Sequence, residues 1–373
     1  MRRTRWLVFM LILGVVGGWI WSASAAPIRA QADVPPKGEI LFVSKVEGKN
    51  EVFLVNTDGT GLKQLTNTPG KTGASYAPIW SPDGTKFYYT VRPDPTSSGE
   101  TSEIWVFDFR TQKRTRLLSY PLGEEFILNQ YQFGGWTANS RQIVYGVTRL
   151  IKEKAHLEFF IIDADSSNRR ALNPDGVPNL SNVLPIKDGF LLIDIEGNAT
   201  ITDAALKNPQ PIGTPQAYSF VAVISPDRQW IALANKAKVD VIDLATGKFA
   251  SFSVFYSGTS IWYMGWSPDN KRFWVQTDRQ YDANGSVIEG SLTKVVDVDR
   301  MLKNDPSPSS IRDYIFQENR LFPIVTWSPN GEWLLDDQDG ILNFRRADGT
   351  GEAIPFSPVE DKAYQPAWRP VQK

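Results

Sequence analysis

The sequence of 373 residues contains no cysteine and a single histidine, His156. The lack of cysteine excludes disulfides and metal sites built on sulfur. One histidine offers little to a zinc or copper centre, or to a serine hydrolase. No Gly-x-Ser-x-Gly motif is present, because the nearest run, residues 258–262, ends in tryptophan. We therefore expect His156 to be a loop or strand-edge residue, and we predict no catalytic residue.

Neither sign of charge is in excess. The chain has 40 Lys and Arg against 41 Asp and Glu, a formal net charge of −1. A nucleic-acid-binding domain usually carries a clustered basic excess, so we predict no nucleic-acid partner. The 13 Trp, 12 Tyr and 20 Phe, together with 28 Gly and 25 Pro, favour an ordered domain of many short strands and turns.

The N-terminus has its own pattern. Three arginines within residues 2–5 precede an uncharged, mostly apolar run at 6–21, and a small-residue sequence ends at Ala25. The run is shorter than the roughly 20 residues that span a membrane. We predict a secretory signal peptide over 1–25, a linker over 26–37, and export to the periplasm, cell surface or medium. Cleavage would remove the three arginines and take the net charge from −1 to −4. The alternative is an uncleaved tether in contact with the membrane.

One short motif, Trp-Ser-Pro-Asp-Gly, returns along the rest of the chain. Full or partial copies begin at positions 80, 136, 224, 266, 327 and 368, and a degenerate copy begins at Leu184. The residues that define the motif are Trp80, Pro82, Asp83, Gly84, Trp136, Pro226, Asp227, Trp266, Pro268, Asp269, Trp327, Pro329 and Trp368.

Each copy is spaced by 40 to 61 residues and is followed by runs typical of short strands. Such a unit has the size of a four-stranded propeller blade. Residues 38–373, a single predicted domain of 336 residues, then hold seven blades of about 48 residues each. Six blades is the alternative if Leu184 does not mark a true copy.

The two ends of this domain complement each other. Residues 38–44 resemble the strand that follows a motif, and residues 363–370 resemble the strand that precedes one. Pairing of these terminal strands would complete one blade and remove a free sheet edge. The sequence therefore predicts an all-β, seven-bladed β-propeller closed by its N- and C-terminal strands.

The chemistry of the motif is that of a turn. Proline presets φ, aspartate bonds nearby backbone amides, and glycine accepts a positive φ. Tryptophan adds a large apolar body with one N–H donor, which suits packing between blades. Since a catalytic site is needed once and a turn once per blade, recurrence favours a structural role for the motif.

This pattern resembles the TolB-like, WD-like propeller repeats, which read roughly Pro-x-Trp-Ser-Pro-Asp-Gly, then strands, Asp-Gly and Leu-Thr. Residues 52–66 and 78–89 match it closely, and the resemblance extends over nearly all of 38–373. It implies the propeller fold. TolB and the prolyl-oligopeptidase-like enzymes that share such repeats also carry an α/β domain. We expect no such domain here, so the resemblance does not transfer their roles.

Oxygen-rich turns are the remaining metal candidates. Asp163 and Asp165 have the initial spacing of a calcium loop, and Asp282 with Asn284 form a second candidate. The acidic run at 336–339 is a third, also expected in a turn. The first candidate lacks the glycine that a calcium loop places at its sixth position. We interpret all three as solvated turns and predict no metal and no cofactor.

Function is the least determined property. We predict a monomeric, non-catalytic platform that binds a protein, peptide or glycan, because binding residues commonly lie on loops of rigid scaffolds. Three polar excursions, at 92–102, 119–131 and 278–323, are candidate binding loops, the last with a short helix near 298–303. The alternative is a propeller hydrolase acting on carbohydrate or peptide through carboxylates near the central axis, or an accessory subunit of such an enzyme.

Overall fold

The chain divides into two compact units, Met1–Val34 and Pro35–Lys373. Of the first unit, the structure, a computed structural model, describes Val34 alone, so the predicted signal peptide lies outside the described residues. The described residues are 34–67, 75–91, 101–121, 125–127, 134–151, 154–172, 179–219, 221–254, 260–277, 280–281, 287–289, 291–303, 311–317 and 325–371.

The second unit consists of four-stranded antiparallel blades, in which successive blades use successive parts of the chain. The strands of the first three blades are β1 (Glu39–Val46), β2 (Lys49–Asn56), β3 (Lys63–Gln64); β4 (Ser75–Trp80), β5 (Lys86–Val91), β6 (Thr101–Asp108), β7 (Lys113–Pro121); and β8 (Glu125–Ile127), β9 (Gly135–Trp136), β10 (Gln142–Ile151), β11 (Lys154–Asp163), β12 (Arg170–Ala171). Blade 3 is irregular, because the two short strands β8 and β9 both pair with β10 where other blades have one inner strand.

Blades 4 to 7 follow the same plan. Their strands are β13 (Leu180–Pro185), β14 (Gly189–Asp194), β15 (Ala199–Asp203), β16 (Gln210–Ile212); β17 (Ala222–Ile224), β18 (Trp230–Asn235), β19 (Lys238–Asp243), β20 (Phe249–Ser253); β21 (Ile261–Trp266), β22 (Arg272–Thr277), β25 (Ser291–Asp297), β26 (Ile311–Gln317); and β27 (Val325–Trp327), β28 (Trp333–Gln338), β29 (Ile341–Arg346), β30 (Ile354–Phe356). Between β22 and β25 lies a small hairpin of β23 (Gln280–Tyr281) and β24 (Val287–Glu289), and α1 (Val298–Leu302) follows β25.

The last strand, β31 (Ala363–Trp368), closes the ring. It pairs antiparallel with β1, with Ile40 opposite Trp368 and Ser44 opposite Ala363, and so becomes the inner strand of blade 1. The predicted closure by the terminal strands is therefore confirmed. The count of seven blades is confirmed as well, since Leu184 lies on the inner strand of a complete blade of its own.

The hydrophobic core lies between the blades. Successive side chains of a strand point to opposite faces of the sheet, so each blade contributes to two interfaces. On β5, Phe87 and Tyr89 pack in the interface with blade 1, whereas Tyr88 packs in the interface with blade 3. This explains why the strands read as nearly continuous apolar runs rather than as a strict alternation.

Two faces of the ring follow from the strand directions. The motif turns connect the first two strands of each blade and lie at one end of the strands, which we name the turn face. The hairpins between the second and third strands, such as Glu47–Gly48 and Lys236–Ala237, lie at the other end, which we name the hairpin face. The described chain contains no helix that is long and apolar enough to cross a membrane.

Candidate functional site

Tryptophans of the motif join neighbouring blades through one repeated hydrogen bond. In each case the indole Nε1 donates to a backbone carbonyl on the inner strand of the preceding blade. The four pairs are Trp80 with Ala367 (2.9 Å), Trp136 with Ile79 (3.1 Å), Trp266 with Val223 (3.2 Å) and Trp327 with Gly265 (2.9 Å). The same ring thus fills apolar space and adds a hydrogen bond from one blade to the next.

Trp368 departs from this arrangement. Its ring is 4% exposed and packs edge-to-face against Phe344 with 5.4 Å between ring centroids. Its Nε1 is buried and has no hydrogen-bond partner among the described residues. The indole nitrogen lies close to Gly38, where a Cβ would come within 2.6 Å of it. The blade made from both chain ends therefore lacks the inter-blade bond that the four regular copies make.

Blades 4 and 5 replace the tryptophan with Leu184 and Ile224, and Arg228 supplies a different connection. The Arg228 guanidinium donates to the carbonyl of Pro185 in blade 4 and, at 3.1 Å, to the carbonyl of Trp136 in blade 3. One side chain from blade 5 thus contacts two preceding blades. Burial lowers the pKa of Arg228 to about 10, which leaves the group charged at neutral pH.

The turns themselves are held by side-chain hydrogen bonds. Ser81 Oγ donates to Asp83 at 2.6 Å, and the same carboxylate accepts from the amide of Thr85 at 3.0 Å. A bond to the next blade follows, in which the amide of Asp83 donates to Ser140 Oγ at 3.1 Å. Gly84 has a φ of 63°, and a Cβ there would come within 2.8 Å of the Pro370 carbonyl. Both constraints explain the glycine of the motif.

The electrostatics of Asp83 also fit a turn. Burial alone would raise its pKa, but the hydrogen bonds from Ser81 and Thr85 outweigh burial and hold the pKa below its usual value. In blade 7 an amide takes the same place, and Ser328 Oγ donates to Asn330 Oδ1 at 2.7 Å. The position therefore needs a hydrogen-bond acceptor, and a neutral one serves.

A cavity of about 240 Å³ lies on the turn face, where blades 6, 7 and 1 meet. We name it the tryptophan pocket. Its lining residues are Gly265, Trp266, Pro268, Trp274, Val325, Thr326, Trp327, Pro329, Trp368, Arg369 and Pro370. Its walls are fixed by close packing: a Cβ on Gly265 would come within 2.6 Å of the Trp274 ring. The four tryptophans of the pocket are each at most 8% exposed, so only a small part of each ring is accessible.

A second cavity, a groove of about 640 Å³, lies on the turn face between blades 2 and 3. It is polar and carries both signs of charge. Its charged lining residues are Lys86, Lys113, Arg141, Asp108, Asp163 and Asp165. The balance of three cations and three carboxylates suits a polar ligand more than an apolar one.

Asp163 and Asp165, the first calcium candidate, lie in this groove. Asp163 accepts hydrogen bonds from Gln142 at 2.6 Å and from Asn168 at 2.7 Å, and Asp165 accepts from Ser167 at 2.6 Å. The bond from Asn168 is the main cause that lowers the pKa of Asp163, and the bond from Ser167 lowers that of Asp165. These hydrogen bonds stabilise the negative charge of both carboxylates, as side-chain hydrogen bonds commonly do in polar turns.

Comparison with known proteins shows what the chain is similar to. No family model matches it. A TolB homologue of Protochlamydia amoebophila (strain UWE25) is 36% identical over 76 residues, which are 20% of this chain and 15% of that protein. The structure of TolB from Acinetobacter baumannii has a TM-score of 0.52 at 14% identity, over 89% of this chain and 67% of that one. An oligogalacturonate lyase in complex with manganese has a TM-score of 0.57 at 11% identity, over 90% and 86% of the two chains.

The chain is a seven-bladed β-propeller, and its fold is similar to that of TolB. The identities to the solved structures are low enough that the likeness shows the fold and nothing of ligand or reaction.

Several candidate residues predicted from the sequence lie where side chains are not described. His156 pairs through its backbone with Arg149 on β10, and its side chain lies outside the described residues. Asp282 and Asn284 also lie outside them, as do large parts of the three polar excursions. Within the described ranges, no group of three or more His, Cys, Asp or Glu is arranged to hold a metal ion. The interpretation of these residues stays a prediction.

The prediction that the third calcium candidate lies in a turn is wrong for two of its residues. Asp336 and Asp337 do not lie in a turn: both are fully buried within β28, and only Asp339 of the run follows the strand. Asp336 forms an ion pair with Arg345 at 2.7 Å, yet burial raises the pKa of Asp336. Asp337 accepts the backbone amide of Gln365 at 2.8 Å and so joins blade 7 to the inner strand of blade 1.

Another buried carboxylate was not expected from the sequence at all. Asp240 on β19 is fully buried and accepts the hydroxyl of Tyr218 at 2.9 Å. Burial raises the pKa of Tyr218 to about 12. The pair lies in the interface between blades 4 and 5. No local pattern indicates it, because the two residues are brought together by the packing of two blades.

Proposed function

We propose that this propeller is an exported, non-catalytic binding platform, and that its turn face receives a segment of a partner protein at the tryptophan pocket. The pocket is the observation that carries the proposal. It is concave, it is walled by apolar rings, and it lies on a face framed by rigid turns. Such recesses commonly receive a single large side chain at the centre of an interface.

The shape of the pocket favours a protein segment over a glycan. Sugars usually stack on an open aromatic face, whereas here Trp266, Trp274 and Trp327 are between 6% and 8% exposed. Three prolines of successive motifs add rigid apolar edges to the rim. A volume of about 240 Å³ fits one bulky side chain. The proposal therefore narrows the predicted ligand from protein, peptide or glycan to a protein segment.

Export rests on the N-terminal sequence, with its basic start, apolar run and small residues before Ala25. The motif supports a platform without catalysis. In blade 7, Asn330 takes the place that Asp83 has in blade 2, and the hydrogen bond of the turn is kept. The similar lyase keeps the alternative of a carbohydrate-active propeller open to experiment.

The test is capture of a partner from the native envelope fraction with the mature domain. Thr326 lines the pocket and is half-buried, so Thr326→Arg places a charged side chain in it. The matched control is Ile195→Arg, which makes the same charge change at a residue 66% exposed on the hairpin face. We expect the wild type and Ile195→Arg to retain the same partner and Thr326→Arg to lose it, while the far-ultraviolet circular dichroism of all three proteins stays the same.

Two results would contradict the proposal. One is retention of the partner by Thr326→Arg at the wild-type level, which would exclude the pocket as the binding site. The other is absence of any captured protein together with turnover of an oligosaccharide or peptide by the purified domain. That outcome would support the hydrolase alternative.

A further inference from the structure

The outer strand of blade 2 carries a local excess of positive charge. The run of residues 110–116, RTQKRTR, contains four cations and no acid, although the whole chain has a formal net charge of −1. The four cations, Arg110, Lys113, Arg114 and Arg116, are all exposed. Lys63 of blade 1 joins them, since its Nζ donates to Gln112 at 3.0 Å. The result is a basic patch on the rim of the ring.

The same strand has an open edge of unusual length. β7 spans nine residues and is the outermost strand of its sheet, with no further strand paired to it in the described chain. The outer strands of the other blades are shorter, and their lengths are two residues for β3, two for β12, three for β16, five for β20, seven for β26 and three for β30. A long outer edge offers unpaired backbone groups to an added strand.

The cations of the patch lie on both sides of this edge. Lys113 faces the groove between blades 2 and 3, which also holds Arg141 and Lys86 and three carboxylates, those of Asp108, Asp163 and Asp165. Arg114 and Arg116 point to the opposite side, over the ring of Trp105 at 6.0 and 5.9 Å from its centroid.

The two sides of the patch differ in how far their charge is already neutralised. Arg116 is paired with Glu103 at 3.2 Å, and Arg114 donates to the carbonyl of Asn67 at 3.1 Å. Among the described residues neither Arg110 nor Lys113 forms an ion pair. Part of the positive charge is therefore left for a ligand.

We propose that β7 is a docking edge for an extended acidic segment of a partner protein, which adds to blade 2 as a fifth strand. The side chains of an added strand alternate between the two faces of the sheet. Acidic residues at alternating positions of the added strand all lie on one face, where they would meet Lys113, which forms no ion pair among the described residues. Backbone pairing supplies the geometry, and the cations select an acidic sequence. This surface is distinct from the tryptophan pocket, and the inference does not depend on the proposed function.

A competing explanation exists for charges on an edge strand. Lysine and arginine there also prevent edge-to-edge association of copies of the same chain. The two explanations differ in what they expect of an acidic strand, because a protective edge has no affinity for any strand and a docking edge binds one. A polyanion such as a sulfated glycan would need the cations but not the backbone edge.

In the experiment, the mature domain is titrated into an end-blocked octapeptide that alternates Glu and Val and carries a fluorescent label. Binding is measured by the fluorescence anisotropy of the peptide, at low and at moderate salt. A second peptide has the same sequence with every second amide N-methylated, which keeps the charge and removes half of the backbone donors. We expect saturable binding of the first peptide and loss of binding for the second. The double variant Arg110→Glu/Lys113→Glu should bind at least about tenfold more weakly, since it reverses two cations.

The matched control is Lys238→Glu/Lys248→Glu, which makes the same charge change at exposed residues of blade 5. It should bind the first peptide as the wild type does. Equal binding of the two peptides would overturn the proposal in favour of a general polyanion site. No binding of the first peptide at low salt would overturn it in favour of a purely protective edge. Equal weakening by the control variant would show that overall charge, not β7, determines binding.

Discussion

Replacing a single motif tryptophan with phenylalanine separates the inter-blade hydrogen bond from ring packing. Trp80→Phe removes the Nε1 donor to the Ala367 carbonyl, a bond of 2.9 Å across the ring closure. It keeps a six-membered ring next to Phe109, which now stacks on the indole at 5.1 Å. Trp368→Phe removes a similar volume from a ring whose Nε1 has no partner among the described residues. The two variants therefore differ in the indole hydrogen bond and in the contact of the Arg369 guanidinium with the Trp80 ring, 5.0 Å from its centroid.

The two variants should lose different amounts of unfolding free energy. Loss of buried ring atoms costs each variant about 1–2 kcal/mol of unfolding free energy, a fraction of the 3–5 kcal/mol typical of complete truncation. Trp80→Phe also loses the inter-blade hydrogen bond to the Ala367 carbonyl, which adds about 1–2 kcal/mol. Trp368→Phe loses no bond and removes a buried, unpartnered N–H. We expect Trp80→Phe to be the more destabilising by about 2 kcal/mol.

The assay is urea denaturation of residues 26–373, monitored by far-ultraviolet circular dichroism, which does not depend on the tryptophans that are changed. The slope of free energy against denaturant should be the same in all three proteins. Equal destabilisation by the two variants, or a larger effect of Trp368→Phe, would refute the inter-blade role of the indole hydrogen bond.

Three further predictions concern other parts of the turn face. Arg228→Lys should lower the unfolding free energy by about 1–2 kcal/mol in the same denaturation assay, because an ammonium group cannot reach two carbonyls as the planar guanidinium does; an unchanged midpoint would contradict the bridging role. Asp83 has a lowered pKa in the folded state, so its contribution to stability is present above the ordinary carboxyl pKa and is lost as the pH falls through the folded value. Melting curves between about pH 5 and pH 3 should therefore show a smaller loss for Asp83→Asn than for the wild type, and parallel losses would contradict the assignment. Calcium should leave the melting temperature unchanged in the wild type and in Asp163→Asn/Asp165→Asn, and a rise confined to the wild type would reveal a calcium site.

The fold was predictable because its signal is repeated. Each copy of the motif places a turn after an inner strand. The number of copies from Trp80 to Trp368 therefore predicts the number of blades. Closure was predictable for a related reason, since residues 38–44 and 363–370 are two parts of one unit. The short helix expected near 298–303 is also confirmed, as α1.

The connections between blades were not predictable from local pattern. Arg228 contacts residues 43 and 92 positions earlier in the chain, and only the ring brings them together. The acidic run at 336–339 predicts a solvated turn, whereas β28 continues through Asp336 and Asp337 and buries both. The indole Nε1 of Trp368 has no partner among the described residues, and Trp368 lies in the blade whose strands come from opposite ends of the chain.

The tryptophan pocket has a similar origin. Its walls come from three blades, with Trp266, Trp327 and Trp368 each taken from a separate copy of the motif. The sequence shows the tryptophans and predicts that they pack between blades. It does not show that three consecutive copies leave a recess, because that also depends on how the Trp274 ring packs against the backbone of Gly265.

The central claim is that a partner binds the turn face, and site-specific photo-crosslinking in living cells tests it most directly. A photoreactive amino acid is placed either at Thr326 in the tryptophan pocket or at Lys236 on the hairpin face. The account predicts one discrete protein adduct from position 326 and none from position 236. An adduct from position 236 alone, or no adduct from either position, would contradict it.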